Sequence, residues 1–155
     1  MRLLKKNSIL SYKLLCLFTM VFLMIFSIEG LLQEAGQESK YLQKMTLCKD
    51  IEEKDPFQEV NFFFAQEEKV VSWIKFSYNS SKDFLLRWEW FTPQGKLYHQ
   101  GEVKMEAGNY NNYRSWYWIK IKDRPASRLT GEWKVKVYIN GLLVGEKTFY
   151  IIGSI

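Results

Sequence analysis

Residues 131–152, G-E-W-K-V-K-V-Y-I-N-G-L-L-V-G-E-K-T-F-Y-I-I, leave little choice but a β-hairpin. Trp133, Val135, Val137 and Ile139 alternate with Lys134, Lys136, Tyr138 and Asn140, the period-two pattern of a strand with one buried face. Asn140-Gly141 then offers two residues that tolerate positive φ, which a two-residue type I′ turn requires. Phe149 and Ile151 close the return strand. A local signal alone therefore sets the class as antiparallel β.

The first thirty residues stand apart from that fold. Arg2, Lys5, Lys6 and Lys13 form a basic segment ahead of an apolar run over 14–28, broken only by Thr19 and Ser27. At about 15 residues the run suits the hydrophobic region of a signal peptide better than a spanning helix, which needs roughly 20. Ile28-Glu29-Gly30 is a weak cleavage site, so residues 1–30 are expected to be a signal peptide or an uncleaved anchor helix. Either places the remainder outside the cytoplasm, secreted, periplasmic or membrane-anchored facing outward. Four of the 22 Lys and Arg residues and one of the 17 acids lie in this leader. The rest of the chain carries 18 basic against 16 acidic side chains, a net of +2 rather than +5. That balance gives no support to nucleic-acid binding, which calls for a basic patch on the folded domain, and no nucleic-acid partner is expected. Cys16 lies within the apolar run, so removal of the leader leaves Cys48 alone, with no internal disulfide and a buried small hydrophobe as its expected state.

Residues 31–44 turn polar and read as a spacer, and residues 45–155 as one β-sandwich domain. Short strands are predicted at 45–51, at Val60, Phe62 and Phe64, at 70–78, 84–91, 97–105 and 116–122, and in the final hairpin. Charge and proline at Glu52-Glu53-Lys54-Asp55-Pro56 break the first from the second. Thr92-Pro93-Gln94-Gly95-Lys96, with proline and glycine two apart, is expected to form a type II turn, and residues 108–113 read as a loop. About eight strands at close, regular spacing, without a convincing helix, predict a single antiparallel β-sandwich. Large apolar side chains on one face of the strands, such as Phe84, Leu86, Trp88 and Trp90, supply its core.

The run W-E-W-F-T-P-Q-G-K at 88–96, with G-E-W-K-V-K-V-Y-I-N-G and V-G-E-K-T-F-Y-I behind it, resembles the immunoglobulin-like β-sandwich modules of exported bacterial proteins. In those modules an aromatic strand ends in a Pro-x-Gly turn and a G-x-W-x-V-x-V hairpin closes the sheet. The resemblance covers 45–152 and implies a binding or spacer role with no catalytic residue. The paired cysteines of antibody-type domains are missing.

Catalytic chemistry has few materials. His99 is the only histidine, so a multi-histidine zinc site cannot be built, and no nucleophile elbow surrounds any serine. Glu52, Glu53 and Glu89 fall in solvated or charged-face positions, unlike the paired carboxylates of a glycosidase. No glycine-rich phosphate loop follows a strand. No enzyme activity, metal or cofactor is expected.

Binding has more. Residues 109–118, N-Y-N-N-Y-R-S-W-Y-W, interleave aromatic faces with amide groups, the composition of sugar-stacking and adaptable recognition surfaces. Tyr110, Tyr113, Trp116 and Trp118 are the candidate binding residues. Against this, Tyr110 and Tyr113 could cover the end of the sandwich while Trp116 or Trp118 packs across a strand pair. If Trp116 and Trp118 share the outer face with Lys120, a partially exposed aromatic ridge results. The leading expectation is a non-catalytic interaction or structural module of the cell envelope. It would contact a partner protein through a sheet face, an edge or the aromatic loop. The alternative is a carbohydrate-binding module that uses the four aromatics as a platform for a glycan. The membrane enters only through the N-terminal segment.

Overall fold

The computed structural model describes residues 39–153; the expected leader and most of the expected spacer lie outside the described residues. Among the described residues nine strands run in order: β1 (Leu42–Glu52), β2 (Asp55–Glu59), β3 (Phe62–Phe64), β4 (Lys69–Ser80), β5 (Phe84–Phe91), β6 (Leu97–Met105), β7 (Gly108–Lys120), β8 (Gly131–Ile139) and β9 (Leu142–Ile152). The only helical element among the described residues is a four-residue 3-10 turn, Pro125–Arg128. One sheet has the order β2-β1-β4-β7, and the other β3-β9-β8-β5-β6. Their inner faces share one apolar core, in which Trp88, Trp90 and Trp133 are fully buried with Phe63, Phe76, Phe84 and Phe149. The domain is the all-β two-sheet sandwich that the strand pattern predicts.

The closing hairpin forms as the Asn-Gly signal requires. Asn140 and Gly141 both take positive φ, 48° and 81°, and Ile139 pairs with Leu142 across the turn. Trp133 completes its burial by donating its indole N–H to the Leu129 carbonyl at 2.7 Å. The turn after β5 differs from expectation. Gly95 N–H bonds the Thr92 carbonyl at 2.8 Å, and the positive φ falls on Gly95, at 73°, while Gln94 keeps negative φ. This is a type I turn followed by a left-handed glycine, which also suits a hairpin.

Two further departures have physical causes. The expected second strand is two strands: β2 pairs with β1, whereas β3 crosses to the other sheet and pairs with β9 in parallel, Phe62 beside Tyr150 and Phe64 beside Ile152. Residues 108–113 are not a loop but the first half of β7, which pairs with β4 from Gly108 to Lys120. A register shift between Phe76 and Tyr78 absorbs the extra residues, and Asn112 takes left-handed φ of 52° there. Asparagine tolerates that conformation better than most residues, so a bulge replaces the loop. The first strand also begins at Leu42 rather than Met45, and Tyr41 packs edge-on against Tyr78 with ring centroids 5.2 Å apart.

A second, smaller core lies on the outer face of the four-stranded sheet. Cys48, Val71 and Trp73 are buried there with Ile51 and Trp116 packed against them. Thr46 is the in-sheet neighbour of Trp73, yet the Trp73 indole N–H donates to the Lys54 carbonyl at 2.8 Å. Asp55 likewise reaches Arg114 of β7, at 3.3 Å. Contacts eight or more residues beyond the local register require the β1–β2 hairpin to bend back over the sheet and roof it. Trp73 is thus buried on the face opposite the inter-sheet core. The hairpin tip is Glu53-Lys54, both at positive φ, 49° and 71°, although neither residue favours that region.

Burial pushes the Cys48 thiol up to about 11 from an ordinary 9.0, a shift opposite to that of a reactive cysteine. Alkylation by iodoacetamide at pH 8 is therefore expected to be about a hundredfold slower in the native protein than in urea, because a pKa raised by about two units lowers the thiolate population by about that factor. Equal rates would place Cys48 at the surface. Replacing the strained tip, Glu53→Asn with Lys54→Gly, should raise stability by roughly 1 kcal/mol in a denaturant titration, since each left-handed L-residue costs about that much. Unchanged or lowered stability would mean the tip is not left-handed.

Candidate functional site

The four candidate aromatics fall into two pairs on opposite faces of β7. Tyr110 and Tyr113 point inward at the end of the sandwich and meet edge to face, with centroids 5.0 Å apart. Tyr110 also stacks on Phe76, meets the Phe84 ring edge-on and donates its hydroxyl to the Glu106 carbonyl at 2.9 Å. Tyr113 touches Phe76 and remains 44% exposed. Trp116 and Trp118 point outward, with Lys120 on the same face. Trp116 is half-buried against the roofed cluster, and Trp118 is 47% exposed. The ridge that alternation suggests therefore exists at Trp116 and Trp118, while a single platform of all four does not form.

Trp118 opens onto a groove that no sequence motif announces. β6 is the edge of the five-stranded sheet and β7 the edge of the four-stranded one. Between them lies a concavity of about 370 Å³ lined by Tyr98, His99, Trp118, Ile119, Lys120 and Arg124. Its wall is stiffened by aromatic packing. Tyr117 stacks on buried Trp88, at 6.0 Å and 26°, and on His99, at 5.7 Å and 23°. The Tyr117 hydroxyl lies 3.3 Å from His99 Nε2. Trp118 adds its ring to the same stack, 5.9 Å from Tyr117. Gly101 makes this possible: a Cβ there would fall 2.1 Å from the Tyr117 ring. Tyr98 is anchored edge-on to Trp133 in the core.

The charge pattern beside the groove is uneven. Glu68 holds Lys122 at 2.8 Å, which lowers the Glu68 carboxyl and raises the Lys122 ammonium from their ordinary values. Asp50 holds Lys69 at 2.7 Å, and the hydrogen bond from Lys69 lowers its carboxyl.

Two other surfaces stand out. A concavity of about 380 Å³ at the far end of the sandwich is lined by Tyr41, Ser77, Tyr78, Asn79, Asn109, Tyr110 and Asn111. Its polar groups are largely committed to one another: Ser77 Oγ receives Gln43 Nε2 at 2.6 Å and the Asn112 N–H at 3.0 Å, and donates to Asn111 Oδ1 at 3.2 Å. The third surface is apolar. Phe62 and Phe64 of β3 lie beside Tyr150 and Ile152 of β9 on the outer face of the five-stranded sheet. Phe62, Tyr150 and Ile152 are 43%, 45% and 42% exposed. The residues that place aromatics here are Phe62-Phe63-Phe64, of which only Phe63 is buried in the core.

Among the described residues, no three His, Cys, Asp or Glu side chains come together as metal ligands would. His99 is exposed at the groove rim. A scan against protein-family models finds no match, and neither does a search of curated proteins. Solved structures do match. The chain is similar to an immunoglobulin-like protein of Pseudomonas aeruginosa, with a TM-score of 0.51 and 17% identity over 76% of this chain and 100% of that one. The fold is immunoglobulin-like. The CARDB domain of a Pyrococcus furiosus protein, solved in complex with di-metal ions, aligns over 77% of this chain and 95% of its own. Its TM-score of 0.38 and 8% identity are too low to carry weight. The immunoglobulin-like likeness covers the sandwich and leaves the choice among its surfaces to their chemistry.

The groove wall has a direct test. Gly101→Ala should force the Tyr117 ring out of its stack and cost roughly 1–3 kcal/mol by overpacking. Adding Tyr117→Ala should remove that clash, so the double variant should lose less than the two single losses added together. A neutral Gly101→Ala would show that Tyr117 does not lie over β6.

Proposed function

We propose that the protein is an exported, non-catalytic interaction module of the bacterial cell envelope, and that it binds a partner protein through the β3–β9 edge. The single observation that carries this reading is the block of Phe62 and Phe64 on the edge strand β3 with Tyr150 and Ile152 of the adjoining β9, all on one face of the sheet. Isolated exposed apolar residues need no explanation, but an adjoining block of them on a sheet edge is a contact surface. β3 pairs with β9 on one side only, so its other backbone edge is available for strand addition, with the aromatic rings giving specificity. Export is supported by the basic and apolar leader over residues 1–30.

Two measurements test the halves of this reading. Alkaline phosphatase fused after Ile155 is expected to be active in growing cells; a well-expressed but inactive fusion would contradict export. A photo-crosslinking residue at Phe62 is expected to give a discrete protein adduct that disappears with Tyr150→Asp. The same adduct from a crosslinker at Gln94, or survival of the adduct in Tyr150→Asp, would remove the β3–β9 edge as the contact.

A further inference from the structure

We propose that the groove between β6 and β7 binds an anionic sugar unit, with the Trp118 indole stacking on the sugar ring and Lys120 and Arg124 taking its acidic group. This site is separate from the β3–β9 edge and does not depend on it. A concavity of about 370 Å³ falls within the size range of small-ligand sites. Of the six tryptophans, Trp118 alone is an exposed indole: Trp73, Trp88, Trp90 and Trp133 are buried and Trp116 is half-buried. Trp118 is 47% exposed with its ring centroid 5.9 Å from that of Tyr117, so indole surface remains for a ligand. A single exposed indole suits the C–H surface of a pyranose, whereas a planar base gains most from aromatic platforms in series.

The cations select among sugars. Lys120 and Arg124 form no ion pair among the described residues, while nearby Lys69 and Lys122 are held by Asp50 and Glu68. Glu68 is close enough to sense Lys120, but its carboxylate bonds Lys122. Asp123 is exposed and precedes Arg124 in the chain, and it does not line the groove. A guanidinium and an ammonium that are not ion-paired to a protein carboxylate, beside an aromatic face, are matched by a carboxylate or phosphate borne on a sugar. Tyr98 and His99 add hydroxyl and imidazole groups for neighbouring sugar hydroxyls. The groove needs no large rearrangement to receive such a ligand. Trp118, His99 and Tyr98 sit on paired strands, and the Trp88–Tyr117–His99 packing fixes the wall between them.

Calorimetric titration of the full-length chain with five probes tests this. They are oligogalacturonate, phosphomannan, unphosphorylated mannan, polyglutamate and oligothymidylate. Saturable binding is expected for oligogalacturonate, phosphomannan or both, and the responding acid identifies the carboxylate or phosphate source. Mannan should bind at least about tenfold more weakly, as should the Lys120→Gln/Arg124→Gln variant toward the acidic probe, in line with the loss of charge-assisted hydrogen bonds. Trp118→Ala should abolish binding while Trp118→Phe retains it, which separates loss of the stacking face from loss of the fold. Phe62→Ser should bind as the parent does. Equal affinity for mannan and phosphomannan, with no response to oligogalacturonate, would overturn the anionic specificity. Equal binding of polyglutamate or oligothymidylate would reduce the site to charge alone. Binding that survives Trp118→Ala, or no saturable binding of either acidic probe, would overturn the site.

Discussion

Packing of the Trp88, Trp90 and Trp133 rings between two sheets is the contact on which the rest of this domain depends. No disulfide joins the sheets, since Cys48 is free and buried on the far side of the four-stranded sheet. Burial of large aromatic area has to take the place of a covalent link. It does so through strands that turn every second residue inward: β5 contributes Phe84, Leu86, Trp88 and Trp90, and β8 contributes Trp133, Val135, Val137 and Ile139. The same core extends outward at one place. Trp88 packs on Tyr117, Tyr117 on His99, and the surface groove inherits its rigidity from the interior.

The parts of this architecture that were legible in the sequence are those whose signals are local. The period-two pattern of 84–91 and the Asn-Gly turn at 140–141 specify strands and register without reference to anything distant. The roof over Cys48 and Trp73 is different. Its tip, Glu53-Lys54, adopts a turn for which neither residue is a favoured choice, and only the Trp73 bond to Lys54 and the Arg114 bond to Asp55 reveal the fold-back. Asn/Tyr composition misdirected the reading of 108–113 because a bulge at Asn112 lets a polar run stay in the sheet. The parallel pairing of β3 with β9 joins residues some ninety positions apart and leaves no local trace. A hint of it was present in three consecutive phenylalanines, since a strand that is apolar on both sides must expose or cover its second face.

The candidate site divides along the same line. Alternation alone places Trp116, Trp118 and Lys120 on one side of β7, opposite Tyr117 and Ile119. Which of them meets solvent depends on the outer cluster of Cys48, Val71 and Trp73, against which Trp116 packs while Trp118 stays exposed. Tyr98, His99 and Arg124 join Trp118 only because β6 and β7 are facing edges of different sheets. The domain thus presents two chemically distinct surfaces: an apolar sheet edge at Phe62 and Tyr150, and a basic aromatic groove at Trp118. An immunoglobulin-like sandwich can carry both because its core is closed by inward residues, leaving outward positions free to vary.

Ionic quenching of tryptophan fluorescence tests whether core packing takes up the aromatic rings and leaves Trp118 as the accessible indole beside unpaired cations. Iodide is expected to quench a minor component of the native emission, caesium to quench it far less because Lys120 and Arg124 repel it, and Trp118→Phe to remove the iodide-sensitive component. Quenching spread over most of the emission, or equal quenching by the two ions in both proteins, would contradict that arrangement.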